Sequence, residues 1–285
     1  RYGLEIPRPD IQDNISDAAR IARALASKPE CGESVALPLR VMRGLGARLR
    51  DADWKVTVNV AMSGQREVTS VTAGSAEGSH YAIAVDIGTT TVAAQLLACD
   101  GGEGKRIILA SSSDYNRQIS FGEDVISRIM YAGKRNGLKK LQEVIVSTVN
   151  LLIGELLGET GLDRDDVSHV VVAGNTTMMH LFYGIEPKHI MLAPYTPLTT
   201  VFPPVGCGEV GLETAPHTRL FSVPGVSSYV GGDIVSGVAL SGMTEREGVS
   251  LFMDIGTNGE IVLGNGQWLL CASCSAGPAF EGGGI

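Results

Sequence analysis

The chain has 285 residues and a mass of 29.9 kDa, with 44% hydrophobic and 19% charged residues. A chain of this length buries roughly three quarters of its unfolded surface, so it needs no disulfide or metal staple, and its composition excludes disorder as the general state. The net charge of −8 argues against a nucleic-acid partner, whose phosphates are gripped by clustered Lys and Arg.

Residues 1–76 read as a small α/β unit. Asp17 to Leu25 has helical apolar spacing with Ser16 as N-cap, and Leu37 to Leu49 predicts one basic amphipathic helix starting near Pro38. Trp54 to Val60 and Glu67 to Thr72 alternate as strands, and Ala73 to Ser79 has the composition of a linker. A second unit, 80–285, opens with a buried strand at Tyr81–Asp86, a turn at Ile87–Thr90, and strands at Thr91–Ala98 and Arg106–Ser111. A helical region comes next over Gly122–Thr160, broken near Gly133–Gly137. Then come a strand at His169–Ala173, a helix capped by Asn175, a proline-rich loop, a short strand at Leu220–Val223 and a helix at Asp233–Ser241. The stretch Gly206–Gly211 reads as loop. Strands at Ser250–Asp254, Gly259–Leu263 and Gln267–Ala272 complete the pattern. No uninterrupted apolar run approaches ~18 residues, so no membrane is expected. Five scattered cysteines and the lack of a secretory signal point to a cytoplasmic setting. Arg1 and Glu281-Gly-Gly-Gly-Ile285 both read as cuts in a longer protein.

The opening of the second unit repeats. Asp86-Ile-Gly-Thr89 recurs verbatim as Asp254-Ile-Gly-Thr257, each after an apolar strand and before a β-rich run. Alone, either tetrapeptide is an ordinary hairpin turn. As a pair in matched context they describe two related halves, the first at 81–243 and the second beginning at 249–285. Each turn offers an Asp held at a strand end, a Gly that admits close approach, and backbone N–H and Thr hydroxyl donors. Two such cradles facing each other suit a polyphosphate. Asp86 and Asp254 then suit a hydrated Mg²⁺, which prefers oxygen ligands and keeps several waters. Such a site performs phosphoryl chemistry by positioning and charge neutralisation.

The duplicated strand-turn-strand resembles the two phosphate motifs of the acetate kinase, sugar kinase, Hsp70 and actin superfamily, and Tyr229 to Leu240 resembles its first connecting helix. The resemblance implies an actin-like (ribonuclease H-like) α/β ATPase fold, its first half complete and its second truncated. It implies ATP and Mg²⁺ as ligands. Asp86, Gly88, Thr89, Thr90, Thr91, Gly256, Thr257, Asn258 and Gly259 become nucleotide-binding residues, Asp86 and Asp254 the metal-holding pair, and Asp254 and Asp233 the catalytic ones. Asp233 is equally well read as the acid that a helix N-terminus favours. Ser236, Gly237 and Ala239 suit a close helix–helix crossing at a hinge.

Three further blocks, Asn116–Ile129, Val171–His180 with Pro194-Tyr195, and Cys271–Gly282, resemble the reductive activators of corrinoid proteins. That family implies residues 1–76 as its middle domain, an upstream [2Fe–2S] domain, and ATP-driven reduction of Co(II) to Co(I). It also implies a corrinoid protein and an electron donor as partners, and a homodimer. The chain departs from the family pattern in carrying no C-x₄-C-x₂-C cluster, adenosine motif or second connecting helix. Cys271-x-x-Cys274 reads as buried packing, and a cluster shared between subunits would instead resemble dehydratase activators. His180 reads as a packed helix residue. Glu260 is equally a helper of a water or a solvent-face residue, and Asn116–Gly122 has a partner or hinge role by resemblance alone. The rival functions are a small-molecule kinase and an actin-like or Hsp70-like nucleotide switch.

Overall fold

The computed structural model describes residues 1–31, 34–61, 66–74, 80–99 and 106–276. Most of the expected linker and the end of the Cys271–Gly282 block lie outside them.

The first unit comprises β1 (Tyr2–Glu5), α1 (Asp17–Ala26), α2 (Leu39–Met42), α3 (Leu45–Asp51), β2 (Lys55–Ala61) and β3 (Glu67–Ala73), with the strands in an antiparallel sheet β1-β2-β3. The Ser16 hydroxyl accepts from the Ala19 N–H at 3.2 Å and starts α1, which buries Ile21 and Leu25 against Leu49, Trp54 and Val56. Arg20 on the same face is buried, and its guanidinium donates to Asp13 at 2.9 Å and to the Pro7 carbonyl at 3.1 Å, while its Nε finds no partner among the described residues. The single helix expected over 37–49 is two. The chain turns at Gly44, whose φ of 75° lies in the left-handed region, so α2 and α3 bury Val41, Leu45 and Leu49 from separate axes. The strand β1 adds to the expected elements, since four residues with a central Gly give no readable alternation.

The second unit begins with β4 (His80–Ile87), β5 (Thr91–Cys99) and β6 (Arg106–Tyr115), followed by α4 (Val125–Ala132), α5 (Gly137–Thr160), β7 (Val167–Gly174) and α6 (Thr176–Tyr183). Then come β8 (Val205–Gly206), α7 (Cys207–Val210), β9 (Arg219–Ser222) and α8 (Gly232–Ser241). The six strands run in the order β6-β5-β4-β7-β9-β8. The first three form an antiparallel meander, and β7 and β9 continue it parallel to β4. Leu141, Ile145, Val149, Leu152 and Leu156 of α5 join Ile83, Val85, Val170, Val172 and Phe182 in the main core. By length and composition alone α5 could cross a membrane, but half of its apolar window is buried in this core, and its outer side carries Lys139, Lys140 and Glu155. It is the core helix of an α/β layer. The expected loop at Gly206–Gly211 holds β8 and α7 instead, because Glu209 accepts from the Gly206 N–H at 2.8 Å and burial of Cys207 anchors the turn. That burial pushes the Cys207 thiol up to about 11.

A second antiparallel meander completes the described chain: β10 (Ser250–Ile255), β11 (Asn258–Gly264) and β12 (Leu269–Ser275). It opens a second half of the actin-like (ribonuclease H-like) fold. The helix α8 touches both β7 and β10. Its close contact is with a strand, not with another helix: a Cβ at Gly237 would stand 2.5 Å from the Phe252 ring, while Ala239 and Leu240 face solvent. The two cysteines of β12 part company. Three residues apart on a strand, they lie on opposite faces. Cys271 packs against the α8 cluster and Cys274 is exposed, so buried packing describes only the first.

The start of α8 is pressed against the turn between β7 and α6, where a Cβ on Gly231 would meet the Gly174 carbonyl oxygen at 2.4 Å and the Asn175 Cα at 2.5 Å. Neither backbone atom can swing aside as a flexible side-chain end would. Gly231→Ala is expected to destabilise the protein by roughly 2 kcal/mol through overpacking, read as a lower urea midpoint with unchanged slope. An unchanged midpoint would show that this contact is slack.

Candidate phosphate-binding cleft

The two Asp-Ile-Gly-Thr turns face one cleft of about 250 Å³, lined by Asp86, Gly88, Thr89, Thr90, Thr91, Asn175, Asp233, Asp254, Gly256, Thr257, Asn258 and Glu260. Of the residues singled out from the sequence for nucleotide or catalysis, all line it except Gly259, which pairs with Ile255 at the base of the second hairpin. The repeat is not an identical pair of turns. In the first hairpin Ile87 pairs with Val92 across four residues, and Gly88 donates to the Thr91 carbonyl at 2.9 Å. In the second, Ile255 pairs with Gly259 across three, and Gly256 donates to the Asn258 carbonyl at 2.9 Å. Gly88 has no alternative: a Cβ there would lie 2.7 Å from the Thr91 oxygen. The turns touch through their hydroxyls, with Thr90 Oγ1 and Thr257 Oγ1 3.1 Å apart and both residues buried.

The first turn is shaped from behind. The Asn116 side-chain amide donates to the Gly88 carbonyl at 2.8 Å, and the Asn116 N–H donates to the Thr90 carbonyl at 2.7 Å. The Arg128 guanidinium donates to the Thr89 carbonyl at 2.6 Å. In a trans peptide the carbonyl and the following N–H point in opposite directions. Drawing the Gly88 and Thr89 carbonyls backward therefore turns the N–H groups of Thr89 and Thr90 toward the cleft, an anion-binding arrangement. Asn175 adds a lateral brace. Its Oδ1 caps α6 by accepting from Met178 N–H at 2.9 Å, and its Nδ2 donates to Thr89 Oγ1 at 3.1 Å. The expected cap is present, and the same side chain positions the turn.

The block Asn116–Gly122 therefore has a clear local task, where the resemblance alone offers only a partner or hinge role. One signal in the sequence points there: Arg128 falls on the apolar stripe of Val125, Ile129 and Ala132, and a charge on the buried face of a helix needs polar partners. Glu260 is buried rather than on a solvent face. Opposite Asp254 in the β10–β11 register, it accepts from the Ser273 hydroxyl at 3.1 Å. His180 is fully buried in α6, its Nδ1 at 2.7 Å from the Thr176 carbonyl.

Three Asp carboxyls and Glu260 share the cleft, and among the described residues no Lys or Arg lines it. Asp86 reaches solvent through the cleft mouth, yet loss of hydration between the two turns, and secondarily the Asp254 carboxylate, holds its pKa above the usual range. Asp233, in the first turn of α8, is raised to about 6 by burial, with Asp86 and Asp254 adding repulsion and the Ile234 N–H opposing it. Such a donor set suits a hard, oxygen-loving divalent cation. Among the described residues no group of three Asp, Glu, His or Cys is placed to chelate an ion directly.

The chain matches the models of the RACo linker region over residues 1–78, the RACo middle region over 81–246, and the C-terminal domain of RACo, the ASKHA domain, over 248–285. The family scheme thus gives the name linker to the first sheet and middle to the six-stranded unit. A corrinoid activation enzyme from Eubacterium limosum, RamQ, is 35% identical over 80% of this chain and 38% of its own length. The [Co(II) methylated amine-specific corrinoid protein] reductase of Methanosarcina barkeri is 26% identical over 72% of this chain and 38% of its own. The solved structure of a reductive activator for corrinoid, iron-sulfur protein superposes with a TM-score of 0.90 at 42% identity, covering 99% of this chain and 44% of that one. The chain therefore spans under half the length of these relatives. Family models match it almost end to end, and it belongs to the RACo family of reductive activators of corrinoid proteins.

Proposed function

We propose that this chain is the nucleotide-binding part of an ATP-dependent activator that drives reduction of a corrinoid cobalt from Co(II) to Co(I). One observation supports the nucleotide half of this reading above all others: two Asp-Ile-Gly-Thr turns, hydroxyl to hydroxyl, close on one acidic cleft. The corrinoid half rests on the relatives, one named for corrinoid activation and one for reducing a Co(II) corrinoid protein. The electron comes from elsewhere. Among the described residues nothing fits a [2Fe–2S] cluster, since Cys31, Cys99 and Cys207 lie on separate elements and Cys271 and Cys274 on opposite faces of one strand. A separate iron–sulfur domain or donor protein supplies it.

In this reading the Thr89 and Thr90 N–H groups and the Thr91 and Thr257 hydroxyls hold the phosphate chain. Asp86 and Asp254 would hold a hydrated Mg²⁺, which would supply charge neutralisation for the phosphates. Asp233, with a pKa of about 6, stands close to neutrality and accepts the proton of a water attacking the γ-phosphorus. The new P–O bond forms as the bond to the ADP oxygen breaks. Phosphate insertion exchanges the Thr90–Thr257 hydrogen bond for bonds to ligand. The helix α8 contacts both sheets, so a change in their spacing reaches the protein surface.

In the full-length activator, Asp86→Ala and Asp254→Ala are expected to abolish ATP-dependent Co(I) formation, followed by the corrinoid absorption spectrum, while circular dichroism stays native. Full activation by either variant would refute the site. Labelled phosphate appearing on a small acceptor instead of as free phosphate would make the protein a kinase.

The raised pKa of Asp233 sets a pH dependence. A carboxyl whose folded pKa lies above its unfolded one binds its proton better when folded, so its contribution to stability is present in acid and is lost as pH rises from about 4 through about 6. Asp233→Asn is accordingly expected to stabilise the nucleotide-free protein at pH 7 by on the order of 2 kcal/mol, while lowering ATP hydrolysis by roughly 10²-fold or more. Wild-type affinity for Mg²⁺-ATP rises with pH through about 6 and the variant's does not. Identical pH profiles would remove Asp233 from the site.

A further inference from the structure

We propose that Arg128 is the counter-charge of the bound phosphates, a positioning residue that aims the first turn's donors and gives the cleft its preference for the most highly phosphorylated nucleotide. The inference rests on the nucleotide reading above and extends it to the source of phosphate selectivity.

The cleft poses a charge problem. Among the described residues its lining holds Asp86, Asp233, Asp254 and Glu260 and no cation, whereas a triphosphate brings several negative charges of its own. A divalent ion answers part of this. Arg128 lies immediately behind the turn. It is fully buried on α4 and makes no ion pair among the described residues. Its partners are all neutral: the Thr89 carbonyl at 2.6 Å, the Gly122 carbonyl at 2.9 Å, Gln118 Oε1 at 3.4 Å and the Met178 sulfur at 3.2 Å. Burial lowers its pKa to about 10 against the opposing attraction of the Asp124 carboxylate, which makes no ion pair with it, and this leaves it charged at neutral pH. The acid on its own helix, Asp124, is the cap of α4, and its carboxylate accepts from the Ser127 N–H at 2.7 Å.

A buried cation with neutral partners is costly to keep unless something anionic completes it. On its far side, one peptide away, lie the N–H groups that its own hydrogen bond turns into the cleft. The guanidinium thus acts twice, polarising the Thr89–Thr90 peptide and adding its field to the same point. A purely structural arginine would be indifferent to the number of phosphates on the ligand. A counter-charge would not.

The test uses the full-length activator and the affinities of ATP, ADP and AMP with Mg²⁺. Arg128→Met is expected to weaken ATP by roughly 30-fold, ADP less and AMP by under about 3-fold, with Arg128→Lys recovering most of the ATP loss. Met178→Glu serves as a second variant in case Arg128→Met unfolds. It places a carboxylate where the Arg128 guanidinium and the Asn116 amide already meet the sulfur, at 3.2 and 3.8 Å, and neutralises the cation without removing it. It is expected to weaken ATP selectively with little change in melting temperature. Equal losses for all three nucleotides, or an ATP:AMP ratio unchanged in both variants, would overturn the inference and leave Arg128 structural. Failure of the wild-type protein to bind any nucleotide would instead overturn the nucleotide reading itself.

Discussion

Three consecutive carbonyls of the first turn point away from the cleft, and much of the surrounding structure depends on that. A peptide cannot present its oxygen and its hydrogen on the same side. For the turn to offer donors to an anion, something behind it must accept the burden of the oxygens. Asn116 takes Gly88 and Thr90, and Arg128 takes Thr89. Both come from the segment that leaves β6 and enters α4. That segment is itself pinned by Gln118, whose amide donates to the Leu141 carbonyl of α5 at 2.9 Å. The donors at the surface of the cleft are therefore connected by hydrogen bonds to the core helix beneath the sheet. A turn held only by its own Gly88–Thr91 bond would leave these peptides free to flip, and a flipped peptide repels phosphate.

The acids face the opposite requirement. Asp86, Asp233 and Asp254 are brought together from three different elements, and burial, with their mutual repulsion behind it, raises the pKa of Asp86 and Asp233. Among the described residues no Lys or Arg lines the cleft to relieve this. An acidic cleft without cationic lining is unfavourable for the empty protein and favours whatever brings positive charge. Under the proposed function such a cleft disfavours a bare polyphosphate and favours one that arrives with a divalent ion, a selectivity that belongs to the whole charge set and not to one ligating residue.

Much of this is legible in the sequence because the strong signals are local. The β4–β5–β6 meander, the break between α4 and α5, and the caps at Ser16 and Asn175 all lie in short windows. The duplicated Asp-Ile-Gly-Thr identifies both walls of the cleft, since a repeat of sequence in a repeat of strand context implies a repeat of geometry. Its limit is register: the same four letters close a four-residue turn in one hairpin and a three-residue turn in the other, and the residues after the Thr decide between them. Less legible are features set by distant partners. Leu37 to Leu49 keeps helical spacing through Gly44, and only packing against the first sheet reveals that the axis turns there. Glu260 alternates like a solvent-face residue, and becomes buried because the β10–β11 pairing sets it opposite Asp254. Arg128 reads as an error in an apolar stripe until the turn it serves is in view.

The placement of α8 explains how a local event at the turns acts at a distance under the proposed function. Its first turn carries Asp233 into the cleft, and its start is pressed on the Gly174–Asn175 backbone by the absence of a side chain at Gly231. Farther along, Gly237 lets the Phe252 ring of β10 sit against the helix, and Ile234 and Val238 share a small core with Val262 of the second sheet. One helix is thus in contact with the catalytic acid's surroundings, the brace of the first turn and the base of the second sheet. Under the proposed function the halves meet at the ligand through the Thr90–Thr257 hydroxyl pair, and they pack together along α8. Packed interfaces of this kind shift between discrete arrangements more readily than they deform. Under the proposed function, a ligand that parts Thr90 from Thr257 is expected to shift the second sheet, whose outer face exposes Leu251, Met253 and Ile261.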